Sequence, residues 1–263
     1  MRKHFLWVTM SIFFLSATIL SWKSDGANRS VSVRKENATF TTKELFEQYV
    51  NNLYEAARLK EAGLAFNVFE KAVTGYTNLK LSHQVPQSSD VLTVVDFSKS
   101  SREKRMWIIN LLNKQLVLNT WVAHGSGSGQ EMANHFSDAN DSHESSLGFY
   151  VTDKVYNGKH GRSLYLDGMD EGFNGNARMR SIVVHGANYV GPAAINEQGY
   201  IGRSFGCPAV SPKVVNKVIN TIAGKTVLFI NGNDESYYSK YLDETGPLNL
   251  MASANTSFNF TKF

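Results

Sequence analysis

The hydrophobic pattern of this chain changes period once, and that change limits the folds open to it. Before residue 85 the apolar residues recur at helical spacing. Leu45, Tyr49, Leu53 and Ala56 form one stripe and Phe66, Phe69, Ala72, Val73 and Tyr76 a second, with the first pattern fading near Gly63. Thr41 or Thr42 is the expected N-cap of the first helix, with Glu44 in its first turn. From Val91 onward the apolar residues come instead in short, β-branched runs bounded by polar ones, the mark of strands. The runs are VLTVVDF (91–97), MWIINLL (106–112), QLVLNTWVAH (115–124), GFYVTD (148–153), SLYL (163–166), SIVVHGA (181–187) and TVLFI (226–230). Asn113-Lys114 suits a tight hairpin. One late helix is expected, capped by Ser211 with Pro212 at its first position, carrying Val214, Val215, Val218, Ile219 and Ile222 on its buried face and stopped by Gly224.

Many short strands with few helices give a mostly-β α+β fold. The expected organisation is a linker over 27–40, a helical segment over 41–85 that docks on the next unit, a β-rich domain over 86–233, and a tail over 234–263 that is extended or poorly ordered. Residues 1–26 stand apart. Arg2, Lys3 and His4 precede an apolar run from Phe5 to Leu20, which reads as a secretory signal cleaved after Gly26, or as an uncleaved anchor. Either reading implies export. The net charge of +4 over 263 residues comes from scattered lysines and arginines with no basic run, which argues against a nucleic-acid partner. Five Asn-x-Ser/Thr triplets, at Asn28, Asn37, Asn140, Asn255 and Asn259, are read as chance occurrences in a chain rich in those residues.

Chemistry concentrates in one stretch, IVVHGANYVGPAAINEQGYIGRSFGCPAVS, residues 182–211. It holds the only cysteine, Cys207, which can close no internal disulfide and is either a buried small hydrophobe or a working thiol. A thiol attacks as thiolate, so a nearby cation or helix N-terminus must favour its ionisation. His185, ending an apolar strand before Gly186, is the candidate base, and the late helix is the candidate dipole. The glycine at 206 lets the chain turn, and the amides of Gly206 and Cys207 form a candidate oxyanion hole. Five histidines, at 124, 135, 143, 160 and 185, raise zinc as a competing chemistry, but no pair has the i, i+4 spacing of a helical zinc site, so no metal is expected.

HGA followed by GRSFGCPAV resembles the histidine–cysteine signature of the L,D-transpeptidase (YkuD-type) family, and more narrowly its murein L,D-transpeptidase catalytic-domain-like branch. TVVDFSKSSREKRMWIINL, WVAHGSGSG, HFSDANDSHESSLGFYVT and YNGKHGRSLYLDGMDEGFN extend the resemblance over residues 42–231. It implies a YkuD-like β-sandwich and an exported cysteine acyltransferase acting on peptidoglycan stem peptides in the bacterial envelope, without a cofactor. On that reading Cys207 is the nucleophile and His185 the base. Ser204, Gly206 and Gly186 shape the turn and oxyanion site, and Arg203, His124, Ser146, Gly148 and Tyr165 line the substrate groove. The sequence departs from the wider pattern at Phe205, where a second histidine is usual, and at Ala209, where a polar or basic residue is usual; Arg203 is the candidate to replace that charge. Hydrolysis of the same bond and non-catalytic wall binding are the alternatives, and nothing in the sequence fixes an oligomeric state.

Overall fold

The computed structural model describes residues 40–260. The signal or anchor expected over 1–26, and the linker up to residue 39, lie outside the described residues. The chain enters helix α1 (Thr42–Ala56) through a reciprocal cap: Glu44 N–H donates to Thr41 Oγ1 at 3.2 Å, and Thr41 N–H donates to Glu44 Oε2 at 2.7 Å. Such a cap stabilises a helix by about 1 kcal/mol. The left-handed φ of 53° at Arg58 then turns the chain toward α2 (Phe66–Leu81).

Nine strands follow: β1 (Val91–Asp96), β2 (Met106–Asn110), β3 (Gln115–Thr120), β4 (Val122–Ala123), β5 (Gly148–Gly158), β6 (Gly161–Gly168), β7 (Val183–Gly186), β8 (Ala209–Val210) and β9 (Val227–Asn231). Helix α3 (Pro192–Gln198) lies between β7 and β8, α4 (Val215–Ile222) between β8 and β9, and α5 (Thr245–Phe260) closes the described chain. The strands form one sheet in the order β3-β2-β1-β9-β5-β6-β7-β8-β4. Pairing is antiparallel except between β1 and β9 and between β7 and β8.

The central strands are buried on both faces, which is why they read as unbroken apolar runs. Alternate residues serve two cores. Leu92, Val94, Trp107, Ile109, Phe149, Val151, Val227 and Phe229 pack with α1 and α2, whereas Val95, Met106, Ile108, Tyr150, Leu228 and Ile230 pack with α4 and the far strands. The helices have no separate core. Gly75 of α2 lies against the Phe149 ring, where a Cβ would come within 2.0 Å of Cζ, so glycine permits the close approach of helix and sheet. Trp107 Nε1 donates to Ala62 O at 2.8 Å and fixes the turn between α1 and α2.

The run 115–124 is not one strand. It breaks at Trp121 into β3 and β4, which sit at opposite edges of the sheet although one residue separates them. The sheet must therefore curl until its edges meet, and Val122 of β4 shares a core with Val95 and Ile108 near the other edge. Two further expectations are corrected. Ser211 caps only a turn, accepting Lys213 N–H at 3.4 Å; α4 starts at Val215 with Val214 as its cap and no side-chain bond there. The segment after Asn231 is not extended. Tyr237 and Ser239 donate to the Asp170 carboxylate at 2.8 and 2.6 Å, and Asn78 Nδ2 donates to Tyr241 O and Asp243 O at 2.8 and 2.6 Å. Leu248 and Met251 of α5 pack on the helical core. Among the described residues no helix is long and apolar enough to cross a membrane.

Candidate active site

Register brings the cysteine to the histidine. In the parallel pair β7·β8, His185 lies beside Ala209 and Gly186 beside Val210. Carried back two residues, the same register sets Val183 beside Cys207, and Val183 N–H indeed points at Cys207 Sγ from 3.4 Å. Pro208 has no N–H to offer, so the ladder stops there and the thiol stands at its open end. The thiol donates in turn toward Ser181 O at 3.6 Å.

The turn before the thiol is over-determined. Gly206 adopts φ +116°, in the region that side chains avoid, and a Cβ there would lie 2.7 Å from Glu144 O. Ser204 Oγ donates to Cys207 O at 2.7 Å and accepts Gly206 N–H at 3.1 Å. Ser145 Oγ donates to Gly206 O at 3.3 Å and accepts Gly125 N–H at 3.0 Å. The expected oxyanion pair is thus reduced: Gly206 N–H is committed to Ser204, while Cys207 N–H has no acceptor among the described residues. Cys207 N–H is the uncommitted donor of this turn.

His185 is 2% exposed and lines the same cavity as the thiol. Its Nδ1 lies 3.0 Å from Gly186 O; a carbonyl only accepts, so Nδ1 carries the proton and Nε2 keeps its lone pair. Burial, and secondarily the charges of His160 and Lys159, push its pKa below the ordinary imidazole value, so the ring is a neutral base near pH 7. The His160 ring, from the tip of the β5–β6 hairpin, stacks on it at 4.3 Å. Burial raises the Cys207 thiol, offset in part by the Val183 N–H and by Arg180 and Lys159. The sequence expectation of a thiol lowered by a helix end is not met: α4 begins eight residues on, and burial outweighs the nearby cations.

Cys207 and His185 share a cavity of about 410 Å³. Phe205 and His143 form part of its wall, stacked at 4.2 Å, with Phe205 68% exposed where the wider pattern has histidine. Arg203 lines the cavity and donates to Gly129 O at 3.1 Å. Ser204 belongs to the turn, and Gly186 supplies the carbonyl that fixes the His185 tautomer.

Four expected groove residues lie elsewhere. His124 is wholly buried; Arg105 Nη2 meets its Nδ1 at 2.6 Å, and burial together with that guanidinium drops its pKa to about 4. Ser146 is buried and its Oγ accepts from Tyr150 OH at 2.9 Å. Tyr165 stacks on Tyr156 at 4.2 Å under the Arg178 guanidinium, so Tyr156, not Tyr165, reaches the cavity. Gly148 sits against Asp170 and Asn174, away from the thiol. Among the described residues no group of three or more His, Cys, Asp or Glu is placed to hold a metal ion.

One site residue was missed from sequence. Arg180 lines the same cavity, and its side chain is 3% exposed. It sits two residues from the more exposed Arg178 in NARMR, a stretch without periodicity, so nothing in the sequence marks which arginine turns inward.

Comparison with known proteins matches residues 60–231 to the YkuD_2 family, described as L,D-transpeptidase catalytic domain. No curated protein sequence matches the chain. Similar solved structures include an L,D-transpeptidase from Mycobacterium smegmatis, 13% identical, covering 54% of this chain and 59% of that one with a TM-score of 0.33. Another, an L,D-transpeptidase from Xylanimonas cellulosilytica, is 17% identical, covering 56% and 63% with a TM-score of 0.33. The helical cell shape determining protein Pgp2 from Campylobacter jejuni is 14% identical, covering 70% and 63% with a TM-score of 0.38. The chain thus spans less than two thirds of each of these proteins.

Proposed function

The chain belongs to the YkuD_2 family of L,D-transpeptidase catalytic domains, and from that premise we propose that it is an exported acyltransferase acting on peptidoglycan stem peptides through Cys207. The observation that carries this reading is the meeting of Cys207 and His185 in one cavity, with His185 Nδ1 committed to Gly186 O and Nε2 free.

The steps follow from those groups. His185 Nε2 takes the S–H proton as sulfur bonds to the carbonyl carbon of the L-residue in an L,D peptide bond, and Cys207 N–H faces the oxyanion. Collapse breaks the C–N bond; the D-amino acid leaves as an amine with the proton returned by His185, and the acyl group remains as a thioester. An amine of a second stem then attacks, giving a new amide cross-link, a free thiol and a proton passed through His185. Water in place of that amine gives a trimmed stem, so carboxypeptidase action uses the same groups. The reading sets the protein in the bacterial envelope, consistent with the signal or anchor expected at its N-terminus, and needs no cofactor.

Purified sacculi incubated with wild type and Cys207→Ala, followed by muropeptide analysis, test it. New cross-links in the wild type alone support the transferase, and trimmed stems alone support the hydrolase. Identical profiles sink both and favour non-catalytic wall binding, the reading that the burial-raised thiol would suit. A carbapenem adduct on Cys207, seen by intact mass, is expected if the thiol is acylated at all.

A further inference from the structure

We propose that Arg180 is the positioning residue of this site: one buried guanidinium that holds loop 137–146 as the wall facing the thiol and presents its charge to the sulfur across Gly206. The inference rests on the acyltransferase reading.

The geometry is specific. Nη1 donates to Ser137 O at 2.7 Å and to Ser146 Oγ at 3.2 Å, while Nη2 donates to Glu144 O at 2.7 Å and to Ser142 Oγ at 3.1 Å. Four bonds from one planar group to four points of a single loop fix its path as no point charge on a flexible stem can. That loop carries His143, which stacks on Phe205, and Ser145, which holds the Gly206 carbonyl. Nη2 also lies 3.3 Å from where a Cβ on Gly206 would stand, so the guanidinium rests directly on the turn that ends in the nucleophile. Glycine at 206 leaves that approach open. The next residue, Ser181, accepts the thiol proton, tying both ends of the arrangement to one short segment.

The other cations on the cavity are placed differently. Lys159 is exposed on the hairpin tip, where water screens it. Arg203 directs Nη1 to Gly129 O. Arg180 has an acidic neighbour, Asp138, at 3.7 Å, but burial raises that carboxyl and Asn176 N–H holds its other oxygen, so the pair is a loose one. A positive charge beside the sulfur favours the thiolate. Each proton leaving sulfur for His185 Nε2 is therefore met by a fixed positive charge that does not compete for it.

The test is the pH dependence of Cys207 alkylation by iodoacetamide in wild type, Arg180→Lys and Arg180→Met, alongside turnover on a stem tetrapeptide. Arg180→Met is expected to move the alkylation midpoint up by about one pH unit, a roughly tenfold slower reaction on the rising limb. Arg180→Lys is expected to restore most of that midpoint while losing about tenfold or more in turnover, because the charge returns but the four-point hold does not. Equal midpoints in wild type and both variants, with each folded by near-ultraviolet circular dichroism, overturn the proposal. Should Arg180→Met fail to fold, an Arg180→Lys variant with wild-type turnover would equally overturn it. Alkylation reads the thiol without peptidoglycan, so a midpoint shift in the absence of any turnover would show Arg180 acting on the sulfur while the acyltransferase reading fell.

Discussion

Two His-Gly strand ends flank β8, His124-Gly125 after β4 on one side and His185-Gly186 in β7 on the other, and they meet opposite fates. Ala209 of β8 pairs with both Ala123 and His185. His185 therefore shares a face with Ala123, and His124, one residue further along, takes the other face. On that face lie Val122, Val210 and Val184, the curled core; there His124 is capped by Arg105 and stripped of water. A one-residue difference in phase separates a buried hydrogen-bond acceptor from a candidate base, although the two dipeptides are identical. Residue type alone says little about a strand-end histidine; its parity against the pairing partner decides.

The sharpest way to break this comparison is to remove each ring. His185→Ala is expected to lower kcat/KM by about 10³-fold, the usual worth of a positioned acid–base group, with a melting temperature close to wild type. Equal turnover in the variant, or a large fall in stability, would erase the distinction. Next in size is a pH effect on stability. His124 has a folded pKa of about 4 against 6.5 for an ordinary imidazole. Between those values the unfolded chain binds the proton and the folded one does not, so the stabilisation is complete above pH 6.5 and is lost as pH falls to 4. The loss amounts to about 3 kcal/mol. Urea unfolding of wild type and His124→Asn should show a stability difference that is flat above neutral pH and changes across that window. A pH-independent difference would mean that His124 is solvated. The smallest effect concerns the His160 stack. The acid limb of the wild-type rate is expected below 6.5, since His185 must be neutral to accept a proton. His160→Ala should move that limb upward, because it removes both cover and a like charge; a limb that stays put would make the stack incidental.

Much of the fold is legible in the sequence because its central strands are buried on both faces, and runs such as VLTVVDF and TVLFI have no other economical structure. The break at Trp121 is not legible, since apolar residues lie on both sides of it with no Gly or Pro between, and only the curl of the sheet demands the kink. Order after Asn231 is hidden for a related reason. It is imposed by Asp170 and Asn78, residues far back in the chain, and Gly246 and Pro247 open α5 without an apolar stripe to announce it. At the site, Cys207 and His185 are legible as a lone thiol and a strand-end imidazole within one short stretch. Arg180 is not, because what distinguishes it from Arg178 is the loop folded over it. Arg178 instead meets Asp153 and Asp167 at the surface.

The position of β9 has a kinetic consequence. This strand is the last in sequence yet lies between β1 and β5, pairing with both, and its Asn231 side chain donates to Asp96, 135 residues earlier. Until residues 227–231 have been synthesised, the two halves of the sheet have no common strand, and the β7·β8 pair that sets the thiol beside its imidazole belongs to a half-sheet without its central strand. Contacts this distant close slowly. The chain therefore matures as a whole, and an intermediate lacking its final strand would hold Cys207 and His185 in an unfinished sheet.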